Sequence, residues 1–447
     1  MATQTWDPSG WREHVALQQP DWPDAAEVAA TNKELRTWPP LVFAGEARNL
    51  QEQLAKVATG EAFLLQAGDC AESFQDHSAD SVRDRLKVLL QMAAVLTYAA
   101  GTPVVKVARI AGQFAKPRSA STETIDGVEL PSFRGHIVNS EAPSLDARVP
   151  DPARMMQAYH HSAATLNLVR AFTDGGFADL AQVHAWNNEF VRSSPQGRRF
   201  EQLATEIDRA LRFMRAVGID TENPTLHQVD IWTSHEALLL EYEEALTRVD
   251  SLTSDWYDCS AHLLWIGERT RDPDGAHVRF LAGVNNPVAC KVGPSASPSD
   301  VLDLCRALNP SRVPGRLTLI SRMGSEHIRN ALPPILDAVR DAGEPVIWSC
   351  DPMHGNTFTS SSGRKTRHMD NITGEIDAFF ELHRQAGTRA GGIHLEITAG
   401  AVTECLGGGD ALTEDDLDRR YESLCDPRLN ARQSLDVAFH LAELMTR

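Results

Sequence analysis

Eight short apolar runs recur along the chain, separated by longer segments in which apolar residues repeat with helical spacing. Strands that alternate with helices predict a parallel sheet, because each helix returns the chain to the end where the previous strand began. Eight strands are the number that closes a (β/α)8 barrel. We therefore predict an α/β fold built on a TIM barrel. The runs are 62–65, 103–107, 228–232, 262–266, 287–291, 317–320, 346–348 and 392–396.

Two segments fall outside this repeat. Residues 1–60 contain many Trp, Pro and Gln residues and no clear strand, which predicts an N-terminal extension with short helices. The segment of about 150–225, between the second and third runs, is longer than one crossover needs, and apolar residues between 203 and 214 recur on one helical face. It predicts a helical pair inserted into a catalytic barrel that spans 61–447. We interpret 180–184 as helix, because eight strands already close the barrel.

The charge balance excludes one class of partner. The 447 residues include 43 Lys and Arg against 61 Asp and Glu, which gives a net charge of -18. Nucleic-acid binding needs a basic face, so this composition argues against it. Small anionic substrates remain compatible, because a few cations focused in a cleft overcome an acidic exterior locally.

The cysteines and the N-terminus predict the compartment. The chain has seven Cys residues and no CxxC pair, and Met1–Trp6 lacks the basic and apolar regions of a secretory signal. No apolar run approaches the roughly 20 residues of a membrane-spanning helix. These features predict free thiols, a cytoplasmic protein and no membrane partner.

Four residues with the chemistry of metal ligands follow or end separate apolar runs: Cys70, His354, Glu396 and Asp426. Each is ambiguous alone, because a cysteine is more often a buried thiol and an aspartate before proline is often a turn residue. Glu396 lies inside an apolar strand, where a carboxylate is costly unless it is paired or metal-bound. In a barrel, residues at the carboxyl ends of strands converge. One thiolate, one imidazole and two carboxylates together suit Mn²⁺, Co²⁺, Fe²⁺ or Zn²⁺.

Cations occupy the same strand ends. A single arginine there would usually form an ion pair, and Lys116 and Arg118 would usually belong to a solvated loop. Several at successive strand ends indicate binding of phosphates and carboxylates, which the planar arginine fork suits. Gly267, which precedes Arg269 and Arg271, predicts close approach of backbone N–H groups to a ligand. The set is Arg109, Lys116, Arg118, Arg269, Lys291 and Arg322.

Taken together, these motifs closely resemble type II 3-deoxy-D-arabino-heptulosonate 7-phosphate (DAHP) synthase, the plant and actinobacterial kind. The resemblance runs from Glu61 to Asn430. It implies a (β/α)8 barrel with N-terminal additions and an extra helical pair. It also implies condensation of phosphoenolpyruvate with erythrose 4-phosphate to DAHP and phosphate, the first step of the shikimate pathway. The implied partners are further copies of the chain, in a homodimer or homotetramer, and chorismate mutase.

The resemblance also assigns site residues by motif. It implies a divalent metal, Mn²⁺ or Co²⁺ first, with Zn²⁺, Fe²⁺ and Cd²⁺ as alternatives. The implied metal ligands are Cys70, His354, Glu396 and Asp426. The implied phosphoenolpyruvate site is Arg109, Glu268, Arg269, Lys291 and Arg322. The implied contacts to the erythrose 4-phosphate phosphate are Lys116, Arg118 and Ser119. Cys70, Lys291 and His354 are the implied catalytic residues.

The chain departs from the family at two motifs. It has Lys291-Val292-Gly293-Pro294 and Arg134-Gly135-His136 where some members have Lys-Leu-Gly-Pro and Arg-Gly-Asp. The second change leaves the acceptor sugar open, so an amino-DAHP synthase is one alternative. A Schiff-base aldolase acting through Lys291 is another. A metal-dependent hydrolase and a non-catalytic binding subunit are the remaining alternatives.

Overall fold

In the computed structural model, eight parallel strands close into one barrel. Each strand pairs with its neighbours along the chain, and the last pairs with the first, with Leu65 opposite Ile393. The strands are β1 Phe63–Gly68, β2 Val104–Arg109, β3 Ile231–Glu236, β4 Leu263–Ile266, β5 Val288–Val292, β6 Leu317–Ser321, β7 Val346–Cys350 and β8 Gly392–Glu396. The prediction of a TIM barrel is confirmed. The structure describes residues 6–125, 127–175, 177–178, 180–187, 192, 194–217 and 229–446, so Gln228 of the third predicted run lies outside them.

Alternate strand residues face opposite sides of the barrel wall. Leu64, Val107 and Trp265 belong to an inner cluster, whereas Leu65 and Ala108, their neighbours in the chain, belong to the larger cluster between strands and helices. The inner cluster also contains residues of the helix Ala44–Thr59. This helix packs against one end of the barrel interior, which leaves the opposite end for ligands.

Helices surround the barrel and form the N-terminal extension. They are α1 Ala25–Leu35, α2 Ala44–Thr59, α3 Ala79–Ala100, α4 Ala153–Asp174, α5 Pro195–Ala216, α6 Leu240–Leu246, α7 Ala276–Gly283, α8 Pro298–Leu308, α9 Ile328–Asp341, α10 Met369–Ala386 and α11 Ala431–Met445. The predicted insertion between β2 and β3 contains the helical pair α4 and α5. Leu180–Trp186 forms a 3₁₀ helix, which agrees with the interpretation of 180–184 as helix.

Three short hairpins were not predicted. The first, between 122–125 and 128–131, follows the loop that contains Lys116 and Arg118. The others pair 247–249 with 256–258 and 358–359 with 365–366. All are too short to show two-residue periodicity clearly. The first and third contribute Thr122 and Lys365 to the rim of the cavity described below.

Two further features concern the cysteines and the helices. All seven cysteines are free, and each is buried. Among the described helices, none combines the length and the apolar character that crossing a bilayer requires.

Candidate metal centre and substrate pocket

The barrel brings the predicted site residues to one end. Arg109, Glu236 and Glu396 are the last residues of β2, β3 and β8. The loops that follow the strands line a cavity of about 350 Å³. Nine of the predicted site residues line it: Lys116, Arg118, Ser119, Glu268, Arg269, Lys291, Arg322, His354 and Asp426. The other three, Cys70, Arg109 and Glu396, are buried behind Lys116 and Asp426.

The four predicted metal ligands lie together. Ligand atoms of Cys70, Glu396 and Asp426 all lie within 4.8 Å of one another. The Nε2 atom of His354 is 3.1 Å from Oε1 of Glu396. On the other side of the ring, Nδ1 of His354 is 2.7 Å from Oδ2 of Asp351, which orients Nε2 toward the group. Their role as ligands stays a prediction, but the donor set fits a divalent first-row metal.

A lysine ammonium lies among three of these atoms. The Nζ atom of Lys116 is 3.0 Å from Sγ of Cys70, 3.2 Å from Oε1 of Glu396 and 3.0 Å from Oδ2 of Asp426. Burial alone would lower the pKa of Lys116, but its electrostatic interactions with Cys70, Glu396 and Asp426 hold it well above its ordinary value. The sequence predicted a phosphate contact for Lys116. That contact stays a prediction; in this structure the ammonium of Lys116 lies as a countercharge beside the predicted ligand group.

The protonation state of the ligands depends on what lies next to them. Burial raises the pKa of the Cys70 thiol well above its ordinary value, so metal binding has to displace its proton. Burial also acts to raise the pKa of Glu396, but His354, Lys116 and two arginines hold it well below its ordinary value. Glu396 is therefore a carboxylate.

Two arginines fix the orientation of Glu396. Arg109 donates from Nη2 to Oε1 at 3.0 Å, and Arg367 donates from Nη2 to Oε2 at 2.9 Å. Both arginines are almost fully buried. Arg109 lies behind the cavity and does not line it, so its predicted contact with phosphoenolpyruvate stays a prediction.

An ion-pair network connects the segments that carry Cys70 and Asp426. Arg428, two residues after Asp426, lies 3.1 Å from Oδ1 of Asp69 and 2.8 Å from Oε1 of Glu404. The backbone N–H of Asp426 donates to Sγ of Cys70 at 3.3 Å. An aspartate before proline is often only a turn residue, but the side chain of Asp426 lies with those of Cys70 and Glu396. A turn alone does not explain that position.

Cations face the cavity from several strand ends. Nζ of Lys291 lies 2.9 Å from Oδ2 of Asp351 and 3.3 Å from Nδ1 of His354. Burial lowers the pKa of Lys291, whereas the pKa of Asp351 is held well below its ordinary value, against the effect of burial, by His354 and Lys291. Across the cavity, Nη2 of Arg269 donates to Oγ of Ser119 at 3.1 Å.

Sequence reasoning missed several residues that support the site. Asp351 directly follows β7, so its position at a strand end could have indicated it. Glu375 could not have been found this way, because it lies in the middle of α10. Its Oε1 accepts from the backbone N–H groups of Met323 and Gly324 at 2.9 Å each. Its Oε2 accepts from Nδ2 of Asn356 at 2.7 Å, so Glu375 connects the loops that follow β6 and β7.

His136, which stands where some family members have the aspartate of Arg-Gly-Asp, does not line the cavity. His136 is buried, its Nδ1 accepts from the backbone N–H of Phe74 at 2.9 Å, and its Nε2 lies 2.5 Å from Oε2 of Glu141. It is not among the residues that line the pocket. The departure from the family motif therefore lies at a supporting contact and not among the residues that line the cavity.

Comparison with known proteins gives consistent similarities. The model of the Class-II DAHP synthetase family matches residues 6–442. The chain is 56% identical over 434 residues to a phospho-2-dehydro-3-deoxyheptonate aldolase of Streptomyces coelicolor, covering 97% of this chain and 96% of the relative. It is 51% identical over 436 residues to the phospho-2-dehydro-3-deoxyheptonate aldolase AroG of Mycolicibacterium smegmatis, covering 96% and 92%.

Proposed function

Because the chain belongs to the class-II DAHP synthetase family and is a DAHP synthase of the shikimate pathway, we propose that its cavity condenses phosphoenolpyruvate with erythrose 4-phosphate. The observation that supports this is the juxtaposition of two features. The group of Cys70, Glu396 and Asp426, with His354 beside it, suits a divalent metal. The adjoining cavity presents several cations, which suits two phosphorylated substrates.

We assign the divalent metal, Mn²⁺ or Co²⁺, to Cys70, His354, Glu396 and Asp426. When bound, such a metal supplies a Lewis acid that polarises the aldehyde carbonyl of the acceptor. Asp351 keeps the imidazole of His354 oriented, and Arg109 with Arg367 keeps Glu396 ionised. These contacts hold the ligands ready before the substrates arrive.

The cations of the cavity hold the two anionic substrates together. Lys291, Arg322 and Arg269 bind the phosphate and carboxylate of phosphoenolpyruvate, and Arg118 with Ser119 binds the phosphate of the acceptor. Charge neutralisation lets both anions occupy one pocket in reacting orientation. The methylene carbon of phosphoenolpyruvate then forms a bond to the aldehyde carbon, the aldehyde oxygen takes a proton to become a hydroxyl, and C2 is left with positive charge. Water adds at the C2 carbon, and cleavage of the bond between C2 and the phosphate oxygen releases phosphate.

Two alternatives lose support from the geometry. A Schiff-base aldolase needs an uncharged lysine amine; burial lowers the pKa of Lys291, but the Asp351 carboxylate, 2.9 Å from its Nζ, opposes that effect and favours the ammonium. An amino-DAHP synthase was motivated by His136, which does not line the cavity. Seven unpaired cysteines agree with a reducing, cytoplasmic setting.

The test is an assay that follows loss of phosphoenolpyruvate absorbance and release of phosphate. Purified chain is supplied with erythrose 4-phosphate, with the corresponding imine acceptor, or with no acceptor. We expect equimolar loss of both substrates with erythrose 4-phosphate, abolished by exhaustive chelation and restored by Mn²⁺ or Co²⁺. Turnover that survives chelation contradicts the metal assignment. Turnover with the imine alone contradicts the assignment of the acceptor.

A further inference from the structure

One carboxylate in the cavity has no ion-pair or hydrogen-bond partner in the part of the chain that the structure describes. Glu236 ends β3, lines the cavity and is 8% exposed. Its Oε1 atom is buried and has no hydrogen-bond donor among the residues that the structure describes. The two other acidic residues of the cavity wall each have a cation beside them: Glu268 accepts on Oε1 from Nε of Arg271 at 3.0 Å, although its buried Oε2 also has no donor among the described residues, and Asp426 lies 3.0 Å from Nζ of Lys116.

The surrounding backbone fixes where this carboxylate lies. The N–H of Glu236 donates to Oε1 of Gln113 at 2.9 Å, and Glu236 pairs in register with Trp265 of β4. Gly267 follows β4, and a Cβ atom built on it would lie 2.1 Å from Oε1 of Glu236. The glycine therefore leaves room for the carboxylate, which sits against the turn that presents Glu268 and Arg269 to the cavity.

A buried carboxylate oxygen without a donor is unfavourable. Desolvating a polar group without a new hydrogen bond costs about 1–3 kcal/mol, and more for a charged group. Native structures satisfy nearly all buried polar groups, so an exception in a ligand cavity indicates a group that the ligand satisfies. The missing contact has to be a hydrogen-bond donor without negative charge.

Of the two substrates of the proposed function, only one offers such donors. Phosphoenolpyruvate has a phosphate, a carboxylate and a methylene group, and its ionised form donates no hydrogen bond. An aldose phosphate has hydroxyl groups along its carbon chain. We propose that Glu236 accepts hydrogen bonds from the hydroxyl groups of the acceptor aldose and so sets the specificity of the cavity for a hydroxylated chain. This inference rests on the proposed function.

A site built to accept a hydrogen bond from a hydroxyl rejects an analogue that lacks it, because the acceptor then stays unpaired. The test compares erythrose 4-phosphate with its 2-deoxy and 3-deoxy analogues in the wild type, Glu236→Gln and Glu236→Ala. In the wild type, at least one deoxy analogue should lose about 10- to 100-fold in kcat/KM, as expected for a hydrogen bond to a charged group. In Glu236→Ala, kcat/KM for erythrose 4-phosphate and for that analogue should differ by less than about threefold, because the charged acceptor of the hydrogen bond is gone.

The controls separate this role from others. Direct binding of phosphoenolpyruvate, measured by calorimetry without acceptor, should be unchanged in both variants, and melting temperatures report folding. If Glu236→Ala does not fold, Glu236→Gln keeps the shape and gives intermediate discrimination. Glu52→Ala, an exposed glutamate on α2 at the other end of the barrel, should behave as the wild type.

Two outcomes overturn the inference. The first is unchanged discrimination between the aldose and its deoxy analogues in both variants. The second is an equal fall in kcat for every acceptor with loss of one ionisation from the pH profile, which would make Glu236 the base for the attacking water. A wild type that turns over no aldose phosphate instead contradicts the proposed function itself.

Discussion

The Nζ atom of Lys291 lies 2.9 Å from Oδ2 of Asp351, and both side chains are almost fully buried. Asp351 also accepts from Nδ1 of His354 at 2.7 Å. One carboxylate thus orients both a cation of the substrate cavity and a predicted metal ligand. The two halves of the proposed site are coupled through a residue that contacts neither substrate in our assignment.

Lys291→Met should weaken phosphoenolpyruvate binding by about 100-fold or more, because the substrate anion and Asp351 would both lose a buried countercharge. Equilibrium binding measured by calorimetry checks this, with Lys291→Arg as the control that keeps the charge. Because we assign Lys291 an ionic role, borohydride treatment with substrates should leave its mass unchanged. A reduced adduct on Lys291 would show that it forms an imine.

Cys70→Ala should bind Mn²⁺ or Co²⁺ at least about 10-fold more weakly than the wild type, because it removes the only thiolate of the predicted ligand set. Metal content after dialysis, measured by mass spectrometry, reports this without an activity assay. The matched control is Cys425→Ala, which removes a thiol of the same small cluster that is not a predicted ligand. Equal metal retention in the two variants would contradict the assignment of Cys70.

Metal-free enzyme should lose activity under mild oxidation through a bond between Cys70 and Cys425. The two thiols pack with Phe133 in one buried cluster. A bound metal should protect Cys70 by engaging its thiolate. Peptide mapping of oxidised protein with and without Mn²⁺ measures the crosslink, and reductant with metal should restore turnover. If no linked peptide forms in the metal-free sample, the prediction is wrong.

Phe213→Asp should shift the protein toward smaller assemblies, because Phe213 of α5 is 65% exposed and Val217, one turn later, is 55% exposed. Deleting 150–225 would be a poor test, since α4 buries Met155 and Leu166 in the core. Light scattering after size exclusion measures the mass, with Arg209→Asp on the same helix as control. We expect kcat to change less than about twofold and aromatic amino-acid sensitivity to fall. If Phe213→Asp has the same mass in solution as the wild type, the exposed face of α5 does not support oligomerisation.

Glu123→Gln should reduce the loss of stability in mild acid. Burial acts to raise the pKa of Glu123, but hydrogen bonds from Arg148 and the Phe133 N–H, with Arg118 nearby, lower it from its ordinary value of 4.5. A lowered folded-state pKa contributes stability above the ordinary value, and this contribution is lost as the pH falls below it. Melting temperatures between pH 7 and pH 4 should therefore fall less in the variant than in the wild type.

At pH 7, Glu123→Gln should lower the free energy of unfolding by about 0.5–1 kcal/mol. The loss is this small because Glu123 is partly exposed and solvent screens its ion pairs. Glu129→Gln, on the other strand of the same hairpin, is the matched control. If the melting temperatures of the wild type and Glu123→Gln fall equally between pH 7 and pH 4, Arg118 and Arg148 do not stabilise the carboxylate.

Much of the site could be predicted because strand ends are local features of the sequence. Apolar runs with helical segments between them identify the eight strands, and barrel closure then gathers whatever follows each strand. Cys70, His354, Glu396 and Asp426 were found together for this reason. The identity of each residue and its offset from an apolar run were sufficient.

Other features depend on contacts between segments far apart in the chain. Glu375 reaches the site from the middle of a helix, and Arg367 directly follows a short hairpin. Neither residue lies at the end of a barrel strand, so its position in the sequence does not indicate a site residue. The chain alone determined the barrel, and it predicted which residues barrel closure would gather at one end. Only the tertiary structure decided that Lys116 lies among the predicted metal ligands and that Glu236 lacks a donor. The reason is that pairing and desolvation are set by which side chains packing brings within hydrogen-bond distance, and sequence spacing does not encode those distances.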